Sequence, residues 1–135
     1  MNEDLRIMRE VALKADAFYE KSKELGVLAA SSLKGDKRSQ ITGLESICNS
    51  TVKVSDVCDF IKVRTARQEA WRQGDFGKQM LLFIEHDLAQ RRGEVCAALS
   101  ITDERKKQDV YMLLIREFVR QLAAQYEYSR KENPA

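Results

Sequence analysis

The side chains that could carry acid–base or metal chemistry are few and widely spaced. The chain has a single histidine, His86, which lies between Glu85 and Asp87. Consecutive residues point in different directions around a helix, so these three cannot form a compact ligand set by themselves. Di-iron sites in helical bundles use Glu-x-x-His pairs on two facing helices, and this sequence contains no such pair.

Asp56 and Asp59 form an acidic pair whose spacing places both carboxylates on one helix face. One hypothesis is therefore an enzyme whose acidic site is assembled between helices, with Glu85 and His86 joining the two aspartates. The sequence has no G-x-S-x-G elbow and no G-x-x-x-x-G-K-[ST] loop, the patterns that position a nucleophile or cradle a phosphate. We therefore assign no catalytic residue, no metal site and no cofactor, and an enzyme is the last of three hypotheses.

The most distinctive local cluster is basic and aromatic. Arg64, Arg67 and Trp71 recur at three- and four-residue steps, with Arg72 following. On one continuous helix they would form a single stripe. Arginine binds phosphate in a bidentate manner, and tryptophan stacks on bases or anchors protein interfaces. Three interpretations stay open: packing of Trp71 under arginine stems at the bundle edge, a protein interface, and a nucleic-acid-binding helical subunit.

The elements that would carry these residues are helical. Pro134 is the only proline among the 135 residues, so no ring interrupts a helical turn before the end of the chain. Apolar residues recur at helical steps through most of the sequence, and no segment shows sustained strand-like alternation. We predict an all-α, single-domain, antiparallel helical bundle over residues 1–128. It would have four main helices plus one shorter helix, followed by a polar, frayed tail over 129–135.

Glycines and capping residues divide the predicted helices. The shorter helix covers about 36–50, the third begins with Ser55 as its N-cap and ends near Gly74, Asp75 caps the fourth, and Thr102 caps the last. The apolar stripe of the first helix is predicted to be its core face, and consists of Leu5, Met8, Val11, Ala12, Ala15, Phe18, Tyr19 and Leu25.

The last predicted helix is apolar over more of its circumference than one bundle face requires. Its core stripe is widened by Tyr111, Met112, Ile115 and Val119. These four residues are either extra core or a partner surface, and we treat them as candidate partner-binding residues. The leading hypothesis is a non-enzymatic helical interaction protein, an accessory subunit or homo-oligomer that binds a protein partner or a second copy of itself.

Composition narrows the class of partner and the compartment. Twenty-three basic and 21 acidic side chains give a net charge of +2, so nucleic-acid binding would need a local basic patch. Cys48, Cys58 and Cys96 lie among apolar neighbours without a C-x-x-C pair, which predicts small buried hydrophobes and a reducing, cytoplasmic location. The charged N-terminus lacks the apolar segment of a secretory signal, and no apolar stretch could span a bilayer, so we expect no membrane association.

Overall fold

The computed structural model describes residues 2–34 and 38–132, and within these residues all regular secondary structure is helical. The α-helices in chain order are α1 (Glu3–Ser32), α2 (Arg38–Ser50), α3 (Val54–Arg67), α4 (Glu69–Arg72), α5 (Phe76–Leu82), α6 (Ala89–Ala98) and α7 (Glu104–Glu132). A 3-10 turn (Gln73–Asp75) precedes α5, and a π-helical segment (Phe83–Leu88) joins α5 to α6.

The predicted all-α class is confirmed for the described residues. The segment from α5 through the π-helical turn to α6 keeps helical dihedral angles at its junctions, so it forms one continuous helical rod. With this rod taken as one helix, the described chain has five helices and the one-turn α4. The count differs slightly from four main helices plus one shorter helix because the chain breaks at Gln68 and forms α4 after it.

The core face of α1 is narrower than its apolar composition indicates. The helix begins at the Asn2 side chain, which accepts a hydrogen bond from the Leu5 amide at 2.9 Å. The predicted core stripe is wrong for Leu5, Met8, Ala12 and Tyr19, which are exposed outside the true face. That face is formed by Ile7, Val11, Ala15, Phe18, Ser22, Leu25 and Ala29.

The two longest helices, α1 and α7, pack side by side in parallel. Near their N-termini the Lys106 ammonium pairs with the Glu3 carboxylate. Further along both helices, Gln121 Nε2 donates to the Ala15 carbonyl at 3.1 Å. The residue numbers of the contacting groups rise together on the two helices, so an antiparallel arrangement does not describe this pair.

Gly26 allows a close approach of α1 to α7. A β-carbon at this position would lie 2.6 Å from the Leu122 carbonyl oxygen and 2.6 Å from Gln125 Cβ. α1 continues through Gly26 without a break to Ser32. The glycine therefore serves packing between the helices and does not mark a kink.

The break between α3 and α4 changes the geometry that the sequence predicts for the third helix. Gln68 has φ −113° and ψ 113°, outside the helical region, so α3 ends at Arg67. The chain then passes Gly74 and Asp75, whose φ values are 59° and 57°. Left-handed geometry is expected for the glycine, whereas the Asp75 side chain makes no capping hydrogen bond.

Two predicted N-caps are displaced by one or two residues. α3 starts after Lys53, whose amide donates to Thr51 Oγ1 at 3.0 Å, so Ser55 lies inside the first turn. α7 starts after Asp103, whose carboxylate accepts the Arg105 amide at 3.1 Å. In both cases a side-chain oxygen accepts the amide two residues later, as in Asx and ST turns.

The C-terminal helix extends beyond the boundary predicted for the bundle. α7 is helical through Glu132, and Ser129 is buried. Residues 129–132 are thus helical, and the fraying predicted for 129–135 stays a prediction. Residues 133–135, including Pro134, and residues 35–37 lie outside the described part of the chain.

The three cysteines are free and buried, which confirms their prediction as small core residues. Burial raises the pKa of the Cys48 thiol to about 12, with the nearby Arg116 acting in the opposite direction. Among the described residues no helix is both long enough and apolar enough to cross a membrane.

Candidate functional site

The four residues that widen the stripe of α7 lie inside the chain. Met112, Ile115 and Val119 are at most 2% exposed, and Tyr111 is 7% exposed. The Tyr111 hydroxyl donates to the Ile84 carbonyl in the π-helical segment at 2.6 Å. Burial raises the pKa of Tyr111 to about 12. Of the two interpretations of this stripe, their burial favours extra core, and the partner-binding role of these residues stays a prediction.

The tryptophan of the basic cluster is also inside the fold. Trp71 is 0% exposed, and its ring packs against Phe60 and Phe76 with centroid distances of 6.4 and 5.2 Å. Its indole nitrogen donates to Gln40 Oε1 at 3.2 Å. A base or a partner side chain cannot stack on Trp71 in this conformation, because both ring faces are taken up by the core.

The three arginines of the cluster gather at the C-terminal end of α3. Arg72 donates to the carbonyls of Thr65 and Ala66, both at 3.0 Å, and so satisfies carbonyls that a helix end leaves without partners. Arg64 lies over the Phe60 ring at 4.8 Å from its centroid. The break at Gln68 separates Arg64 and Arg67 from Trp71, so the continuous stripe predicted on one helix is not formed.

The residues of the hypothetical acidic site have separate roles. Asp56 accepts the Thr51 hydroxyl at 2.6 Å at the start of α3. Glu85 and His86 are exposed in the π-helical segment, and Asp59 is exposed on α3. Within residues 2–34 and 38–132, no group of three or more histidine, cysteine or acidic side chains is placed to hold a metal ion.

More than half of the large apolar side chains that are exposed in the described residues lie on α1. Nine large hydrophobic side chains among the described residues are exposed, and five of them are on this helix. Met8 and Leu5 are 61% and 53% exposed. Contiguous exposed apolar surface marks interaction sites more often than scattered single residues do. The five residues on α1 are Leu5, Met8, Leu13, Tyr19 and Val27.

A groove runs along the α1–α7 pair on the side where Met8 is exposed, and we call it the α1–α7 groove. The section near the N-termini of both helices, which we call the lower section, has a volume of about 360 Å³. The middle section has a volume of about 400 Å³, and the two sections share Met8 and Leu113 as lining residues. The middle section also includes α2 through Glu45. An upper section of about 590 Å³ shares Arg120 with the middle one and ends at Tyr128. The three sections extend from Lys106 to Tyr128 along α7, roughly 33 Å at 1.5 Å per residue.

The lower and middle sections have apolar walls. Ile7 and Met8 line the lower one together with Leu113, and the buried Val11 and Val119 lie in the middle one. The upper section is more polar and contains Asp16, Tyr19, Lys23, Arg120, Gln121, Ala124, Gln125 and Tyr128.

The cations of the lower and middle sections are already engaged within the chain. Lys106 pairs with Glu3, and Arg120 pairs with Glu117. Arg116 donates to the carbonyls of Cys48 and Thr51 at 2.8 and 3.0 Å, which caps the end of α2. In contrast, four carboxylates along the groove take part in no ion pair within the described residues, namely Asp4, Asp16, Glu45 and Asp109.

Two polar side chains that line the groove, Glu45 and Gln121, are partly or largely buried in ways that cost free energy. Burial raises the pKa of the Glu45 carboxyl, and the nearby Glu127 acts in the same direction. Gln121 is 8% exposed, and its Oε1 has no hydrogen-bond partner although its Nε2 donates to Ala15. A buried acceptor without a partner is unusual and costs stability.

The sequence reasoning missed this groove because it assigned Leu5, Met8 and Tyr19 to the core. A signal was present: α1 carries a second apolar row beside its core row, just as α7 does.

Comparison of the chain with protein-family models, with curated proteins and with solved structures found no match. Function is therefore inferred from the geometry of the α1–α7 groove.

Proposed function

We propose that the protein is a non-enzymatic helical interaction protein, an accessory subunit that binds a helix of a partner chain in the α1–α7 groove. The observation that supports this most directly is the coincidence of two features. Two of the exposed apolar side chains of α1, Met8 and Tyr19, line a groove that follows α7 from Lys106 to Tyr128.

The shape of the groove suits a helix. A depression between two helices that pack side by side is where a third helix packs in bundles, at interaxial distances of about 8–10 Å. A length of roughly 33 Å accommodates a partner helix of about 22 residues. Helix-in-groove recognition requires apolar anchors on one face of the bound helix, and Met8 and Leu113 supply complementary apolar contacts.

The expected gain from apolar contact is moderate. Fully burying a Met or Leu side chain contributes about 1.5–3 kcal/mol, and Met8 still exposes 61% of its surface. Covering Met8 and the apolar walls of the groove would therefore supply several kcal/mol, which the loss of motional freedom on association partly offsets. The three free, buried thiols suit a reducing compartment, and we place the protein in the cytoplasm as part of this proposal.

The experiment is photo-cross-linking in the native cells from two positions in the groove. A photoreactive phenylalanine analogue replaces Met8 in one variant and Ala124 in another, and the matched control carries it at Gln90, an exposed residue of α6. Leu113 lines the same section of the groove as Met8 and precedes Ala124 by 11 residues, so the two photoreactive positions are roughly 16 Å apart along α7. We expect both groove variants to cross-link to one segment of one chain, at sites about 11 residues apart, and the control to give no such adduct.

Several results would refute the proposed function. Cross-links from Met8 and Ala124 to unrelated chains, or to sites whose separation does not fit one helix, would do so. The absence of adducts in folded groove variants would have the same meaning. An adduct of twice the mass of the chain would identify the partner as a second copy of this protein.

A further inference from the structure

The charges of the α1–α7 groove bear on the chemistry of its occupant, and this inference rests on the proposed function. Three sections of the groove each contain a carboxylate without an ion-pair partner in the described chain: Asp4 and Asp109 in the lower, Glu45 in the middle and Asp16 in the upper section. In the lower section the carboxylates of Glu3, Asp4 and Asp109 outnumber the one lining cation, Lys106. In the middle section Arg120 pairs with Glu117, and Arg116 donates to backbone carbonyls.

The cations of the groove are held in ways that a partner would not easily disturb. Arg116 makes two hydrogen bonds to backbone carbonyls at the end of α2, and releasing it would leave those carbonyls without partners. Lys106 joins α7 to Glu3 of α1. Lys23 in the upper section is exposed and has no ion pair among the described residues, and carboxylates outnumber cations in the lower section alone.

The acceptor-rich character extends to a neutral group. Gln121 borders the upper section, and its buried Oε1 lacks a donor. A partner side chain with N–H groups, placed beside Asp16, would meet the Asp16 carboxylate next to this buried acceptor. Lysine and arginine are the side chains that carry several donors and no acceptor.

From these observations we propose that the occupant of the α1–α7 groove is a basic amphipathic helix. Its apolar stripe packs on Met8 and Leu113, and its lysine or arginine side chains flank that stripe to reach the unpaired carboxylates. Asp16 of α1 lines the upper section together with Gln121 of α7. Gln121 follows Asp109 by 12 residues, a distance of roughly 18 Å along α7. The partner helix therefore carries basic residues in at least two places about three turns apart.

The test is a selection from a displayed library of 22-residue helical peptides against the full chain. The library keeps an apolar stripe at i, i+3, i+4 and i+7 spacing and randomises the polar positions beside it. A blocked variant, Met8→Asp combined with Leu113→Asp, serves for counter-selection, after circular dichroism has shown that it is folded. We expect the enriched peptides to carry lysine or arginine on both flanks, at spacings that match the carboxylates.

Matched charge variants then measure the contribution of the carboxylates to affinity. The groove variant carries D4N, D16N, E45Q and D109N, and the control variant carries D59N, E69Q, E85Q and D87N. All four control residues are exposed and none lines the groove. Because the two variants lose the same net charge, non-specific attraction of a basic peptide changes equally in both.

We expect the dissociation constant of the selected peptides to rise at least about fourfold in the groove variant, since each of four exposed ion pairs contributes roughly 1.4- to 5-fold. The control variant should differ from the wild-type chain by less than about twofold. This difference should shrink at high salt, because salt screens exposed charges.

Two kinds of failure are distinguishable. Enriched peptides with neutral or acidic flanks, or equal losses in both charge variants, would overturn the basic helix while leaving a helix in the groove. If no peptide is enriched above the blocked variant and the cross-links at Met8 and Ala124 are also absent, both the proposed function and this inference are wrong.

Discussion

Replacing Gly26 with alanine is predicted to destabilise the protein by separating α1 from α7. A β-carbon there would lie 2.6 Å from the Leu122 carbonyl oxygen, and no rotamer change relieves a contact with backbone. Overpacking of this kind typically costs about 1–3 kcal/mol. Alanine recovers roughly 0.8–1 kcal/mol of helix propensity relative to glycine. The expected net loss is about 0.5–2 kcal/mol, which lowers the melting temperature by roughly 2–8 °C in a domain of this size.

Gly93 provides the matched control for this substitution. It also lies inside a helix, α6, and a β-carbon there would meet nothing within 4 Å. The Gly93→Ala variant should therefore gain about 0.5–1 kcal/mol of stability from propensity alone. Urea unfolding followed by circular dichroism measures both variants, with the m-value checked for constancy. If Gly26→Ala were stabilising to the same extent as Gly93→Ala, the close approach of α1 to α7 would be refuted.

Three further substitutions test the packing around the core and the groove. Tyr111→Phe removes the hydroxyl that donates to Ile84 and should cost about 1–3 kcal/mol by urea unfolding, since a buried carbonyl loses its partner; an unchanged midpoint would contradict that bond. Arg116→Lys should cost about 1 kcal/mol by the same assay, because lysine cannot make both capping hydrogen bonds at the end of α2; full stability would mean that the cap contributes nothing. Burial raises the pKa of Glu45 above its unfolded value, so the folded state loses stability as pH rises through that raised pKa. Glu45→Gln should therefore be slightly more stable than the wild type at pH 7, by less than about 0.5 kcal/mol for a surface site. The two proteins should have the same free energy of unfolding below about pH 4. A Gln variant that is less stable than the wild type at pH 7 would contradict the predicted direction of this change.

The helical class was predictable because it depends on local periodicity, whereas the depth of burial around each helix was not. Met8 and Ile7 are neighbours in sequence, yet Met8 is exposed and Ile7 is buried. Which apolar row of α1 faces the core depends on how α7 approaches it, and Gly26 permits a close approach at one point along the pair. A single-sequence pattern shows two rows and does not show which one is covered.

The cluster at the end of α3 illustrates a second limit. The three- and four-residue spacing of Arg64, Arg67 and Trp71 predicts a common stripe only if the helix is continuous. Gln68 leaves the helical region, and this turns Trp71 into the core between Phe60 and Phe76. The gain from burying an aromatic ring outweighs the loss of one helical turn, and no glycine or proline marks that break.

The groove itself combines residues from three helices, and its charges became visible only with the contacts of the fold. Asp109 and Lys106 lie on the same helix and are equally polar in the sequence. In the structure Lys106 is held by Glu3, while Asp109 has no ion-pair partner among the described residues. The difference between engaged and unengaged charges depends on long-range contacts that sequence spacing does not encode.

The most direct test of a helix in the α1–α7 groove is methyl NMR of the methionine side chains. Met8 is exposed in the groove, and Met80 is fully buried on α5, away from it. On titration with the cross-linked partner segment, synthesised as a peptide, the Met8 ε-methyl signal should shift in proportion to occupancy while the Met80 signal stays in place. A saturable titration in which Met8 does not move would contradict the proposed groove.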